Sequence, residues 1–192
     1  YVIALTLAAF QATNLDEASR EVIKWVELLG LLLVAPALLD ARKGRWLAAA
    51  LVAGATIQAL WGLYQFAFQV GPEYFAILGR FMRASGSFGQ PNPFGGYLGL
   101  TLPVALSLAL WAWSSWVRRG ASSASLLLWA IYYTAATLLI AAGLLASWSR
   151  GAWLGAVVGV GIVLVLRSRT AALLTGLAGL VMLVAVLLGA FS

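Results

Sequence analysis

The stretch LLLWAIYYTAATLLIAAGLLA, residues 126–146, contains 21 residues and no charged side chain. A helix needs about 20 mainly apolar residues to cross the hydrocarbon core of a bilayer, so this stretch predicts a membrane-spanning helix. Its apolar run is continuous, whereas a strand of a membrane β-barrel alternates apolar and polar residues over about 10 positions. The stretch therefore favours an α-helical membrane protein.

The composition supports the same class. Of 192 residues, 63% are hydrophobic and 9% are charged, whereas about 25% of an ordinary soluble domain is charged. This excludes a soluble enzyme or binding module, and equally a disordered chain. The chain has no Cys and no His, which excludes disulfides, a thiol nucleophile and an imidazole base. We therefore expect no metal and no cofactor, and we expect membrane lipids rather than nucleic acid around the protein.

About seven apolar stretches follow one another along the chain. They predict an all-α, polytopic transmembrane helix bundle, formed by a single transmembrane domain over residues 1–192. Residues 13–24, between the first two stretches, predict a short interfacial helix. Because the chain begins without Met inside an apolar run, we expect it to be a fragment of a longer protein. The stretches are residues 1–12, 25–39, 46–70, 93–117, 126–146, 152–166 and 171–191.

The loops between the spans fall into two groups by charge. Three short basic loops carry seven Lys or Arg, and the three loops that alternate with them carry five, together with four acidic residues. Because cytoplasmic loops carry the excess of Lys and Arg, we expect the first group in the cytoplasm and the second outside. The first group holds Arg42, Lys43, Arg45, Arg118, Arg119, Arg167 and Arg169, and the second holds Arg20, Lys24, Arg80, Arg83 and Arg150.

Two sets of glycines predict faces for close helix packing. Gly151, Gly155 and Gly159 follow one face of the sixth span, and Gly95 and Gly99 do so in the fourth. Small residues four positions apart allow helices to approach closely in lipid. The pattern therefore indicates a compact bundle and carries no information on activity.

Three glutamines share one face of the third span. Gln58, Gln65 and Gln69 are spaced by seven and four residues, which places them on one side of a helix. A polar face in lipid must point into the bundle. It either lines a cavity or bonds to neighbouring helices, and we favour the second.

The loop from the third to the fourth span holds the most informative residues. Arg80 and Arg83 are followed by Gly86, which permits a left-handed backbone. Asn92 before Pro93 predicts a helix start, with Asn as the cap and proline at the first helical position. Arginine side chains, together with free backbone N–H groups at a helix N-terminus, suit a phosphate or diphosphate.

The turn between the fifth and sixth spans carries a further arginine. Its sequence is SWSRGAW, residues 147–153, and it is so short that Arg150 must lie at or just below the membrane interface. A desolvated arginine needs an anionic partner or a wet cavity. The alternative for Arg80, Arg83 and Arg150 is ordinary anchoring at the interface, where arginine beside tryptophan is common.

Two motifs resemble those of the O-antigen ligase and O-antigen polymerase superfamily. The stretch RASGSFGQPNPFGGYL, residues 83–98, is similar to the family pattern of an Arg before (S/T)-G-(S/T)-F-G-x-P-N at the start of a transmembrane helix. The stretch SWSRGAWLG, residues 147–155, is similar to its S-x-S-R-(G/T)-x-W turn, and WGLYQ, residues 61–65, also looks like the family. The order and spacing of the three segments agree with it.

The resemblance implies a multi-pass glycosyltransferase of the bacterial inner (plasma) membrane with a GT-C-like core. Such an enzyme moves a glycan from a polyprenyl diphosphate carrier, such as undecaprenyl diphosphate, to a lipid or glycan acceptor on the periplasmic face, in lipopolysaccharide or other polysaccharide biosynthesis. By motif position, Arg83 and Arg150 would hold the donor diphosphate, with Arg80 and the Asn92 helix start as further candidates. No metal takes part in this expectation.

One family feature is missing from the chain. Ligases of this superfamily place a general-base His in a large periplasmic loop, and this chain contains no His. The resemblance therefore implies a donor site but identifies no catalytic residue here, and Glu73 is a poor replacement for the base. The alternative is a non-enzymatic membrane subunit or a transporter-like protein, although the paired broken helices of a transporter repeat are not evident in the sequence.

Overall fold

The computed structural model describes residues 15–38, 40–77 and 79–167. Within these ranges it forms five α-helices and one small β-hairpin. The helices are α1 (Leu15–Leu38), α2 (Ala41–Phe68), α3 (Pro91–Arg118), α4 (Ala124–Ala146) and α5 (Arg150–Arg167). A 3₁₀ turn at Glu73–Phe75 leads into the antiparallel strands β1 (Ala76–Ile77) and β2 (Phe81–Met82). The stretches expected to span the membrane at 1–12 and 171–191 lie outside the described residues.

Four of the described helices are long and apolar enough to cross a membrane. They are Lys43–Phe68 within α2, and the whole of α3, α4 and α5. The all-helical class and the multi-pass membrane character are therefore confirmed. By contrast, α1 runs unbroken for 24 residues and joins the expected interfacial helix 13–24 to the expected span 25–39. Its first turns are charged throughout, and it is not one of the four.

The packed core lies in the second of two compact units, which meet in the sequence between Leu47 and Ala48. In this unit α3 packs against both α4 and α5. Lipid tails are as apolar as the core side chains, so close packing of small residues holds such helices together better than hydrophobic transfer does. The fully or nearly fully buried core residues include Val52, Ala55, Ala59, Leu98, Ala105, Ala112, Ala130, Ala136 and Ile140.

The predicted glycine faces have opposite outcomes. Gly99 faces α5, since a Cβ built there would lie 3.0 Å from the carbonyl oxygen of Ala152. The Gly151–Gly155 face packs against none of the described residues, because a Cβ on either residue would meet no described atom within 4 Å. Of that set only Gly159 packs closely, with its Cβ position 2.6 Å from Pro103 Cγ.

The contact of α5 with α3 uses a neighbouring face of α5. Successive residues are about 100° apart around a helix, and α5 turns Ala152 and Ala156 towards Gly99 instead of their neighbours Gly151 and Gly155. Alanine is small enough to serve at such a contact, so both residue types allow close approach. Spacing alone could not distinguish the two adjacent faces.

Candidate functional site

The long loop, residues 69–90, connects α2 to α3 and carries the first motif. The β-hairpin occupies its first half, and Arg83 directly follows β2. Six consecutive backbone N–H groups, from Met82 to Ser87, each donate to another part of the chain. The acceptors are Gln69 Oε1, Phe75 O, Ala146 O, Gln65 Oε1 for both Ser85 and Gly86, and Gln58 Oε1. The backbone around Arg83 is therefore set by long-range contacts.

Gln58 and Gln65 of α2, together with Gln69, supply four of these six acceptor contacts. Gln69 was expected on the same helical face, but it lies one residue beyond the end of α2 and has φ +55°. Gln65 Oε1 accepts from the N–H groups of Ser85 at 3.0 Å and Gly86 at 2.8 Å, while its Nε2 donates to Gly86 O at 3.1 Å. Gln58 accepts from Ser87 N and donates to Ser87 Oγ. The glutamine face was expected to bond to neighbouring helices or to line a cavity. Instead it binds the loop that follows its own helix.

Glycines make the close fit of this loop possible. Gly86 has φ +55°, and a Cβ there would lie 2.6 Å from Phe94 Cδ2 and 2.7 Å from Gln58 Oε1. On the opposite side, a Cβ on Gly62 would lie 2.4 Å from Phe94 Cζ. Phe94 is fully buried, so its ring occupies the space that these two glycines leave open.

Arg83 joins three segments that are distant in sequence. Its Nε donates to Ser147 O at 3.0 Å, and its Nη2 donates to Asn92 Oδ1 at 3.0 Å and to Trp148 O at 3.4 Å. The guanidinium thus bridges the long loop, the start of α3 and the serine turn (residues 147–149) between α4 and α5. The two motifs quoted from the sequence are brought into direct contact by this side chain.

The charge of Arg83 lacks an anionic partner in the described part of the chain. Its three acceptors are neutral oxygens, and no described atom accepts from Nη1. Partial burial lowers the pKa of Arg83 below its ordinary value, yet arginine stays charged throughout the physiological range. A half-buried cation with two unused N–H bonds is chemically suited to an anion.

The serine turn is held by its own hydrogen bonds. Ser147 is fully buried; its Oγ donates to Leu144 O at 2.6 Å and accepts from Ser149 N at 3.2 Å. Trp148 has φ +52°, an uncommon conformation for a bulky residue. Arg150 follows as the first residue of α5 and is exposed. It lies two positions beyond Trp148, whose carbonyl Arg83 binds.

The expected cap at Asn92 is wrong. The helix α3 begins at Pro91, with Gln90 in the cap position and no side-chain cap bond. Asn92 lies in the first turn, where its Oδ1 accepts from Arg83. Since Pro91 and Pro93 have no N–H, the start of α3 offers fewer free donors than the sequence suggested. Asn92 therefore contributes to the site by orienting Arg83.

From the sequence, the sixth span was predicted to start at residue 152, two residues late, and the N-terminus of α5 was not considered part of the site. The helix begins at Arg150, followed by the exposed Gly151, and its first turn contains no proline. The first N–H groups of a helix have no partner within the helix, and Gly151 lets a ligand approach the backbone closely. The signal was present as S-x-S-R-G, with serines where helix caps are common.

Arg80 is not brought to this site. It lies exposed in the turn between β1 and β2, where its backbone N–H donates to Ile77 O at 3.2 Å. No described contact links its side chain to Arg83, Asn92 or the serine turn. Within the described ranges, no three His, Cys, Asp or Glu residues group together as metal ligands.

An apolar groove of about 450 Å³ lies beside the serine turn, between α3, α4 and α5. Leu144 and Trp153 line the groove; Leu144 O accepts both from Ser147 Oγ and from Trp153 Nε1. The groove therefore shares Leu144 with the hydrogen bonds of the serine turn. Its lining is Leu102, Ala141, Leu144, Leu145, Trp153, Ala156, Val157, Val160, Gly161 and Leu164.

No family model, curated protein or solved structure matches the chain. The two motif segments and the geometry that joins them therefore carry the functional proposal. The central element of that geometry is the guanidinium of Arg83. It donates hydrogen bonds to Ser147 and Trp148, which follow it in the sequence by 64 and 65 positions.

Proposed function

We propose that this chain is the donor-binding membrane core of a glycosyltransferase similar to O-antigen ligases and polymerases. In this proposal it belongs to the bacterial inner membrane and has a GT-C-like fold. It transfers a glycan from a polyprenyl diphosphate carrier to a lipid or glycan acceptor at the outer face. The observation that carries the proposal is the contact of Arg83 with the serine turn, which unites the two family-like motifs at one end of the bundle.

The donor diphosphate is the anion that suits Arg83. Its Nη1 keeps two N–H bonds that no described atom accepts, and its other nitrogens are fixed in orientation by Asn92 and the serine turn. Arg150 begins α5 immediately after that turn and supplies a second positive charge. A guanidinium held by neutral carbonyls keeps its full charge for a ligand, whereas one paired with a carboxylate would not.

The apolar groove supports a polyprenyl carrier over a soluble sugar nucleotide. A carrier lipid needs an apolar surface within the membrane that begins where its diphosphate ends. The groove is placed for this requirement, since Leu144, which lines it, accepts a hydrogen bond from Ser147 in the serine turn. A nucleotide donor would instead require a polar pocket for its base and ribose.

The proposed reaction is an inverting displacement at the anomeric carbon. An acceptor hydroxyl forms a new bond to C1 of the sugar as the bond from C1 to the carrier diphosphate breaks. The electron pair of that bond stays on the diphosphate, where Arg83 and Arg150 stabilise the increased negative charge. In the proposal neither arginine accepts the hydroxyl proton. It passes to a separate base, as in the superfamily that the motifs resemble.

The test is glycan transfer by the native protein in proteoliposomes, with a polyprenyl diphosphate-linked glycan as donor. We expect Arg83→Ala or Arg150→Ala to lower kcat/KM about 10- to 150-fold, because each charge-assisted contact contributes roughly 1.5–3 kcal/mol. Arg83→Lys keeps the charge but loses the planar fork, so it should also impair transfer.

Arg118→Ala is the matched control, since Arg118 ends α3 and, among the described residues, its side chain bonds to Ser115 one turn earlier. Its activity should stay near that of the unmodified protein. Transfer that persists in both Arg83→Ala and Arg150→Ala would reject the donor site. A folded protein that shows no transfer with any polyprenyl-linked donor would favour the non-enzymatic subunit.

A further inference from the structure

We propose that Gln65 is a positioning residue for Arg83, and that its carboxamide sets the donor affinity from within α2. This inference rests on the proposed function, because it concerns the residue that would bind the donor diphosphate. Gln65 is part-buried within the membrane span and does not contact Arg83 directly. Gln65 instead binds the backbone of Ser85 and Gly86, which follow Arg83 by two and three residues.

The contacts of Gln65 use both ends of its carboxamide. Oε1 accepts from Ser85 N at 3.0 Å and Gly86 N at 2.8 Å, and lies 3.5 Å from Ser85 Oγ. Nε2 donates to Gly86 O at 3.1 Å. A single side chain thus satisfies two donors and one acceptor of the loop backbone, which makes the position of residues 85 and 86 depend on it.

The neighbouring contacts show why this matters for Arg83. On its other side, Met82 N donates to Gln69 Oε1 at 2.8 Å. Arg83 N itself donates to Phe75 O at 3.2 Å, and Ala84 N donates to Ala146 O at 2.9 Å. Arg83 therefore lies between backbone groups that are bound by Gln69 on one side and by Gln65 of α2 on the other. Its guanidinium reaches the serine turn from a backbone that these side chains position.

A carboxamide in a membrane helix is unfavourable unless its hydrogen bonds are satisfied. Gln65 satisfies them with a loop that returns over the end of α2, so the polar group and the loop depend on each other. Ordering a binding side chain before the ligand arrives improves affinity, because less conformational entropy is lost on binding. Loosening residues 85 and 86 should therefore weaken diphosphate binding even though Arg83 itself is unchanged.

The experiment measures the Kd of a polyprenyl diphosphate that carries no glycan, with the native protein in nanodiscs. Gln65→Met keeps the length of the side chain and removes its hydrogen bonds. We expect it to raise Kd about 5- to 10-fold, as loss of a small number of hydrogen bonds would. In the Arg83→Ala background the same change should alter Kd less than about 2-fold, since residues that act through one another are not additive.

Thr134→Val is the matched control. Thr134 accepts a hydrogen bond from Trp113 Nε1 at 2.9 Å between α3 and α4, away from the long loop. It should leave Kd unchanged. Hydrogen exchange adds a readout independent of the donor: the amides of Ser85 and Gly86 should lose protection in Gln65→Met and keep it in Thr134→Val.

Three outcomes are decisive. If Gln65→Met raises Kd by the same factor with and without Arg83, or not at all, the positioning role is overturned. If Arg83→Ala leaves Kd unchanged, the proposed donor site itself fails, whatever Gln65 does to amide exchange. Should Gln65→Met not fold, Gln65→Asn replaces it: the carboxamide stays but is one methylene shorter, so it no longer reaches Ser85 and Gly86 as Gln65 does. A rise in Kd of about 2-fold or more then supports the role, and no rise overturns it.

Discussion

The two loops at opposite ends of α3 differ in how they are held. In the short loop, residues 119–123, every backbone hydrogen bond closes within five residues, such as Ala121 N to Trp116 O. The long loop is held by side chains and carbonyls up to 65 residues away. Each contains arginine and a glycine with positive φ, yet only the long loop uses tertiary contacts to orient its arginine. A loop that only connects two helices needs no tertiary contacts to orient its arginine, whereas the proposed donor site requires them.

The largest expected difference between the two loops is their side of the membrane. The protein has no native Cys, so single cysteines report accessibility without background. Tyr74→Cys, in the exposed 3₁₀ turn of the long loop, should react completely with an impermeant thiol reagent added outside, and Ser122→Cys in the short loop should be protected. The charge bias of the loops is the reason. Protection at position 74 with labelling at 122 would invert the topology.

A pair of glycine substitutions compares the packing of the two loops. Gly86 and Gly120 both have positive φ, at +55° and +64°, but only Gly86 has neighbours where a Cβ would be placed. Gly86→Ala should destabilise the protein by about 2–4 kcal/mol, from backbone strain plus overpacking against Phe94. Gly120→Ala should lose only about 1–2 kcal/mol, from backbone strain. Denaturant unfolding in detergent measures both, and equal losses would mean that the long loop is not tightly packed.

A second glycine pair compares a position at the α3–α5 contact, Gly99, with one that meets no described neighbour, Gly155. Gly99→Leu should destabilise the bundle by about 1–3 kcal/mol, because its Cβ position lies 3.0 Å from the backbone of α5. Gly155→Leu should change the unfolding free energy by less than about 0.5 kcal/mol, as expected for an open position. Thermal unfolding of the two variants decides between them. A larger loss at Gly155 would show that the face of Gly151 and Gly155 is the packed one.

The smallest expected effect lies among the polar contacts inside the bundle. Thr134→Val removes the interhelical bond from Trp113 Nε1, at 2.9 Å, and the bond within α4 from Thr134 Oγ1 to Ala130 O, at 2.7 Å. Interhelical hydrogen bonds in membranes contribute about 0.6 kcal/mol on average, so the loss of stability should be of that size. Gln65→Met should exceed it, since three loop contacts are lost together. A reversed order in unfolding free energy would contradict the special role given to the glutamine face.

Much of the helical framework could be predicted from apolar length. The expected spans 93–117, 126–146 and 152–166 lie within α3, α4 and α5, each of which extends one or two residues beyond one or both ends. For α1 the sequence predicted two separate segments, a charged interfacial helix and an apolar span. The structure has one continuous helix, because charged residues on an exposed helix surface do not interrupt it. The predicted start of α3 at Pro93 was two residues late, because Pro91 suits the first helical position as well as Pro93 does.

The candidate site was only partly predictable. The motifs identified Arg83 and Arg150 from the resemblance, and the structure joins Arg83 to the turn before Arg150. The motif ranked Arg83 above Arg80, but the sequence did not show that Arg80 lies in the hairpin turn, with no described contact to the serine turn. The partner of the glutamine face was also beyond prediction, because helical spacing shows which residues share a face but not which distant backbone returns to it.

A structure of the native protein with a polyprenyl diphosphate bound would show directly whether Arg83 binds the donor. We expect a phosphate oxygen about 2.8 Å from Arg83 Nη1, with the guanidinium of Arg150 on the same diphosphate and the lipid tail entering the groove beside Leu144 and Trp153. The hydrogen bonds from Arg83 to the serine turn should persist. A diphosphate bound elsewhere, with Arg83 still contacting only Asn92, Ser147 and Trp148, would contradict this expectation and leave Arg83 as a structural link between loops.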